Sequence, residues 1–412
     1  MPELLSVQEA QQLILAAFEP LHAVSIELPF AANRVLAEDI RATTDLPPFA
    51  NSSMDGFAVI ASDLESTPTR LEIIADVPAG VVPAVSIRHG QAVRVMTGAP
   101  IPDGSTAVVP IENTDLFQNR ATNPLPGSVN ILRPVQAGEF IRPRGQDLHK
   151  DTIVLKKGRR LQPQDIGLMA SLGIYDFHVY AKPRVALLVT GDELVHPSEP
   201  LAPGKIRDAN SYVLGNLIER SGGEVISLGV APDDPAAIRE RLETAKSQQV
   251  DLILTSAGVS VGAFDFVRSV VLEKGKLTFW QVNMRPGKPL AFGSYLGIPL
   301  VGLPGNPVSA YIGFLIFILP ALRKMAGLTE LKPVYKKVFL AEVVESDGRE
   351  SYLRAILSNR NNRLEAVLSG HQCSGNIYSL VQANALLILP SGVKSLPVGS
   401  EVNCLLLDDE IG

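Results

Sequence analysis

The stretch Arg184-Val-Ala-Leu-Leu-Val-Thr-Gly-Asp-Glu193 decides the fold. Its apolar run, Val185 to Val189, carries no polar alternation and sits between Lys182-Pro183 and Thr190-Gly191. Such a run predicts a strand buried on both faces. The pattern then repeats. A helix over Asn210 to Arg220 closes at Gly222-Gly223, and Val225 to Val230 reads as the next strand. Pro235 to Lys246 reads as a helix with proline in its first turn, and Asp251 to Thr255 as a strand. Phe264 to Glu273 is a predicted helix, Leu277 to Val282 and Pro299 to Leu303 are strands, and a helix starts near Val308. Apolar strands separated by helices predict a doubly wound parallel sheet covered on both faces.

Outward from this region the texture changes. Ser6 with Glu9 forms a capping box for a helix through Val7, Ala10, Leu13, Ile14, Ala17 and Phe18, stopped by Pro20. Beyond Pro47, short runs such as Leu71 to Val77, Ala92 to Met96 and Ala107 to Ile111 predict a small β domain. Gln164 to Leu172 reads as helix. From about Pro333, β patterning returns, with turns at Asp347-Gly348 and Asn361-Asn362. The expected architecture is multidomain α/β plus β, in four parts. Residues 1–45 with 148–178 form a split helical domain and 46–147 a small β domain. Residues 179–328 form the doubly wound domain and 329–412 a C-terminal β barrel.

Composition narrows the function classes. Of 412 residues, 46% are hydrophobic and 19% charged, which supports folded cores and argues against disorder. A net charge of −6 argues against nucleic acid as the main partner, and leaves a small anion held by local cations open. Cys373 and Cys404 lack CxxC or Cys/His spacing, so zinc and disulfide frameworks are not expected, and both cysteines read as small buried residues. The start lacks a signal-peptide pattern, and the apolar run Ala310 to Leu319 is short and interrupted by glycine. A soluble cytoplasmic protein with no membrane partner is the expectation.

In a doubly wound sheet, ligands bind beyond the carboxyl ends of the strands. There the sequence places Asp192-Glu193, Asp233-Asp234, Ser256 to Asp265, Arg285-Pro-Gly-Lys288 and Pro304-Gly-Asn-Pro-Val-Ser309. Gly258, Ser260 and Gly262 fall at a strand-to-helix turn, where free N–H groups favour a phosphate, although neither a Walker loop nor GxGxxG is present. Asp192, Asp233 and Asp265 at separate strand ends suit a hard divalent cation beside phosphate, while each alone also reads as a helix cap. Arg285 and Lys288 suit an oxyanion. Elsewhere, Asp55 follows a Pro-Pro loop and precedes Gly56, so an Asp-Gly turn presents its carboxylate. Thr97-Gly-Ala-Pro100 and Arg142-Pro-Arg-Gly-Gln-Asp147 are further polar clusters. No Ser-His-Asp or Cys-His pattern supports nucleophilic triad chemistry.

Taken in order, Ser53 to Ala58, Met96 to Pro100, Arg142 to Asp147, Thr190 to Leu194, Gly258 to Gly262 with Asp265, Pro286 to Pro289 and Leu303 to Ser309 resemble the molybdopterin molybdotransferases. The resemblance implies an elongated homodimer whose cleft joins the doubly wound domain of one subunit to the Asp55-bearing domain of the other. It implies insertion of molybdate into adenylylated molybdopterin, with Mg2+ and release of AMP. It gives Asp55, Asp192, Glu193, Asp265 and Lys288 catalytic roles, with Asp55, Asp192 and Asp265 as metal ligands. Thr97, Arg142, Asp147, Asp233, Ser256, Gly258, Ser260, Gly262, Pro304 and Asn306 would bind substrate. Arg285, Lys288, Ser309, Arg354 and Ser374 would hold molybdate. Ala263 departs from the acidic residue many relatives carry. Partner proteins of such an enzyme include molybdopterin adenylyltransferase and molybdoenzyme maturation proteins. Two rival readings stand beside it: an adenylyltransferase or nucleotide hydrolase using the same α/β domain, which would not need Asp55 or the outer β domains, and a dimeric scaffold.

Overall fold

The computed structural model describes residues 4–119, 126–257, 261–360 and 362–407, with only the backbone described at 257 and 261–265. The chain forms two compact units. One comprises Met1–Glu38, Gly158–Gln162 and Phe177–Gly412, and the other Asp39–Lys157 and Pro163–Asp176.

In the first unit, the expected strands pair into a six-stranded sheet. In chain order these are β1 Arg184–Thr190, β2 Glu224–Ala231, β3 Leu252–Ala257, β4 Gly275–Gln281, β5 Pro289–Tyr295 and β6 Ile298–Pro304. Their spatial order is β2-β1-β3-β6-β5-β4. The first three pairings are parallel, and β6–β5 and β5–β4 are antiparallel. The parallel core is as expected, whereas the edge differs from the all-parallel expectation. Strand β5 escapes the sequence reading because Gly293 interrupts it, and glycine in a strand reads as a break. The glycine is required by close approach: a Cβ there would lie 2.0 Å from the Lys276 carbonyl oxygen.

Residue alternation along β1 serves two cores. Val185 and Leu187 pack with Leu214, Ile218, Val301 and Phe314 on one face. Ala186 and Leu188 pack with Ile238, Leu242, Val270 and Val271 on the other. Each fully buried Val, Leu or Ile contributes about 1.5–3 kcal/mol by leaving water. The 19-residue helix Pro307–Met325 is long and apolar enough to cross a bilayer, beyond the shorter run read from sequence. It is 83% buried over its apolar window and belongs to the first of these cores. Pro320 lacks the N–H that would reach the Ile316 carbonyl. The helix passes through a π turn at Phe314–Ile318, and Gln11 Nε2 donates to that carbonyl at 2.9 Å. Gln11 comes from the helix Val7–Leu15, whose capping box is formed: Ser6 Oγ accepts from the Glu9 N–H, and Glu9 Oε2 accepts from the Ser6 N–H.

Five C-terminal strands close on themselves as a barrel: Glu350–Arg360, Arg363–Leu368, Tyr335–Leu340, Glu401–Leu406 and Ala385–Leu389. Closure removes the unpaired edges an open sheet would expose. Cys404 is buried there, but Cys373 is exposed on a loop, against the expectation for it.

The second unit holds a five-stranded sheet in the order Ala107–Pro110, Gly56–Val59, Gln91–Val95, Thr69–Val77, Ser128–Ile131. Gly56 opens a fully buried strand. Its role is therefore closer contact than an Asp-Gly turn needs: a Cβ at Gly56 would lie 1.9 Å from the Val109 carbonyl oxygen. Replacing Gly56 by Ala should cost about 3 kcal/mol or more, because backbone must move to admit the methyl. Urea unfolding checks this: an early transition of this unit is expected, and an unchanged profile contradicts the packing argument.

Candidate functional site

In the second unit, the polar loops around Asp55 are braced by their neighbours. Asn51–Ser52 pairs antiparallel with Ile141–Arg142 on one side, and Asn51 bridges Pro100 on the other. The Gly98 N–H donates to the Ser52 carbonyl at 2.8 Å, with Gly98 at φ +84°. This geometry brings Thr97 against Asp55. The Thr97 N–H and hydroxyl donate to Asp55 Oδ1 at 2.7 and 2.8 Å. Those two bonds hold the exposed Asp55 carboxyl below the usual carboxylate range. Arg142 stands one strand away, in register with Asn51. Asp147 is exposed, and its N–H donates to the Leu46 carbonyl.

In the first unit, the carboxyl ends of the parallel strands converge. Gly191 follows β1 at φ +148°, with the Glu193 carboxylate folded over it. Asp192 Oδ1 accepts from the Asp233 N–H at 3.1 Å, and Lys205 Nζ donates to the Asp192 carbonyl. Asp233 is half-buried with one buried carboxylate oxygen unpaired. Burial, reinforced by the charges of Asp192 and Glu193, pushes its carboxyl up. This edge therefore carries an excess of negative charge.

Beside it lies a cleft of about 100 Å3 lined by Thr190, Glu193, Asp208, Asn210, Ser256 and Asn306. Asn210 ties its walls together. The Asn210 Nδ2 donates to Ser256 Oγ at 2.8 Å and to the Gly305 carbonyl at 2.7 Å, while its buried Oδ1 has no partner. Ser256 Oγ in turn donates to the Pro304 carbonyl. Asp208 accepts from the Ser211 N–H. Asp208 and Asn210 carry no local site signal in the sequence, since Asp and Asn at a helix start are ordinary capping residues. An asparagine placed where a helix meets the strand-end edge was the available signal.

Two of the anion-binding candidates, Ser374 and Ser309, stand next to this cleft. Asn306 Nδ2 donates to Ser374 Oγ at 2.7 Å, and the Ser374 carbonyl accepts from the Val308 N–H. Ser309 is buried in the first turn of the helix that follows. Met284–Arg285 pairs with Glu350 and Ser351 of the barrel, close enough for Arg285 to act electrostatically on Arg354. Arg354 is 0% exposed. Its guanidinium donates to Ser379 Oγ and to the carbonyls of His371, Gln372 and Cys373. That occupies four of five N–H donors, so here it holds the loop presenting Ser374 and does not face an anion directly. Lys288 is exposed, and its carbonyl closes the 282–288 loop by accepting from the Val282 N–H. Gly258 and Ser260 lie outside the described residues, and only the backbone is described at Gly262, Ala263 and Asp265. Among the described residues no three His, Cys, Asp or Glu side chains converge as a metal cage.

Thr97→Ala should move the Asp55 carboxyl up toward its ordinary range. A carboxyl depressed in the folded state adds stability above its unfolded range, lost as pH falls through the folded value. The variant should therefore lose less stability on acidification below about pH 4 than the wild type. Carbon-13 titration of Asp55 checks it; an unmoved titration contradicts the role of Thr97.

Three family profiles cover most of the chain. Residues 5–173 match the MoeA N-terminal region (domain I and II), 186–324 a probable molybdopterin binding domain, and 337–407 the MoeA C-terminal region (domain IV). The chain is 36% identical over 393 residues to a molybdopterin molybdenumtransferase of Nostoc sp., covering 93% of this chain and 88% of that protein. It is 35% identical over 408 residues to molybdopterin molybdenumtransferase 2 of Mycobacterium tuberculosis, covering 96% and 98%. The crystal structure of the molybdopterin biosynthesis moeA protein from Pyrococcus horikoshii OT3 superposes with TM-score 0.79 at 32% identity, over 98% of this chain and 100% of that one. With its N-terminal, central and C-terminal regions all matched in order, this chain belongs to the MoeA family of molybdopterin molybdenumtransferases.

Proposed function

We propose that this protein inserts molybdate into the dithiolene of adenylylated molybdopterin, with release of AMP, giving molybdenum cofactor. The observation that carries the reading is one strand edge where the carboxylates of Asp192, Glu193 and Asp233 adjoin the cleft of Asn210, Ser256 and Asn306, in the domain matched by the molybdopterin-binding profile. Cleaving a phosphoanhydride demands charge neutralisation and alignment more than a covalent nucleophile. Asn210, Ser256 and the Pro304–Asn306 turn orient the phosphate-bearing end. Arg285, Lys288, Ser309 and Ser374 hold molybdate, a tetrahedral dianion that cations and hydroxyls grip as they grip phosphate. Arg354 positions Ser374.

Mg2+ would be held by Asp233 with Asp192, since the unpaired buried oxygen of Asp233 beside two like charges is relieved by a cation. Asp55 and Asp265 complete the proposed ligand and catalytic set. When bound, Mg2+ supplies neutralisation of the anhydride's negative charge. A metal that keeps waters and substrate oxygens needs few protein ligands. The cytoplasmic location, the four-part domain division and a homodimer in which Asp55 serves the partner's strand edge are part of the same proposal.

With adenylylated molybdopterin and Mg2+, AMP release should require molybdate and should fall by about a hundredfold or more in Asp55→Asn. Release of AMP at full rate without molybdate would instead favour a nucleotide hydrolase. Wild-type rates in Asp55→Asn would remove Asp55 from the chemistry.

A further inference from the structure

A second polar cavity, of about 170 Å3, lies in the first unit away from the strand edge and is lined by Arg34, Arg160, Lys182, Glu219, Ser221 and Gly223. Three cations face it against one carboxylate. Arg34 is half-buried, and its Nη2 donates to the Tyr180 carbonyl at 2.9 Å. Arg160 is also half-buried, and among the described residues no hydrogen bond or ion pair engages its guanidinium. Its charge instead meets a like charge, Arg323, within electrostatic reach. A half-buried guanidinium without an acceptor is costly, and natural sites relieve that cost with an anion.

Two plainer roles for Arg160 do not fit. One is capping the carbonyl end of the helix Asn210–Arg220. There the Leu217, Ile218 and Glu219 carbonyls already accept from the N–H groups of Ser221, Gly223 and Gly222. The other is pairing with Glu219, which is exposed at the rim and makes no such bridge among the described residues. Arg160 also occupies a short returning segment, Gly158–Gln162, whose backbone bridges Val35. The cations thus come from three separate stretches of chain held side by side.

We infer that this cavity binds a free tetrahedral oxyanion, of the phosphate or molybdate kind, gripped by Arg160 with Arg34 and Lys182. The planar guanidinium forks suit such an ion, and the exposed Lys182 at the mouth adds a point charge. The site is separate from the molybdate groups proposed above and does not depend on that reading.

The test uses the full-length protein, titrated calorimetrically with inorganic phosphate against chloride at matched ionic strength. Phosphate should bind, and Arg160→Gln should weaken it by about tenfold or more, while Lys246→Gln, at the exposed end of the helix Pro235–Ser247, leaves it unchanged. Molybdate and AMP, titrated in the same way, separate a metal oxyanion and a phosphate ester from free phosphate by which of them depends on Arg160. Without anion, Arg160→Gln should melt at or above the wild-type temperature, because an unpaired charge has been removed. Phosphate affinity equal in wild type and Arg160→Gln would overturn the proposal. So would no oxyanion binding beyond that of chloride, or a marked fall in melting temperature without anion, which would make Arg160 a structural cation.

Discussion

Parallel pairing of β1, β2, β3 and β6 is the constraint from which the site follows. Two parallel strands cannot be joined by a tight turn, so the chain must return across the sheet before each new strand. All strand-to-helix connections then leave at one edge. Asp192 and Glu193 after β1, Asp233 after β2, Ser256 within the end of β3, and Pro304 to Asn306 at the end of β6 meet there for that reason alone. None of these side chains needs to be close in sequence. The apolar cores on both faces hold the edge rigid, and Asn210 fastens two of its turns.

The same logic of backbone satisfaction recurs further out. Pro320 removes the N–H that an α-helix would aim at the Ile316 carbonyl, and Gln11 from the N-terminal helix donates to that carbonyl. Arg354 satisfies three loop carbonyls at once and so sets where Ser374 stands beside Asn306. In both cases a long polar side chain substitutes for a missing regular hydrogen bond. The groups we propose for molybdate therefore depend on the barrel as well as on the α/β sheet.

Legibility in the sequence followed the period of the signal. The strands Val185–Val189 and Asp251–Thr255 were readable because two-sided burial leaves unbroken apolar runs, and the Ser6–Glu9 box was readable because capping is local. Strand β5 and the strand opened by Gly56 were not, since both contain glycines demanded by carbonyls distant in sequence, Lys276 and Val109. The contact between Asp55 and Thr97 lies 42 residues apart in the chain, so only the family resemblance placed them together. Asn210 was hidden by its ordinary place at a helix start. The resemblance gives Arg354 a molybdate-binding role, and nothing local announces that a barrel will bury it.

We propose that the Asp55–Thr97 pair of one copy completes the strand-edge site of another. Co-expressing Asp55→Ala and Asp192→Ala chains with separate affinity tags tests it most directly. Each variant alone should release little AMP. If the site is shared across a two-fold dimer, the doubly tagged heterodimer carries one intact site and should regain about half of wild-type activity. A purified heterodimer as inactive as either parent would contradict the shared site.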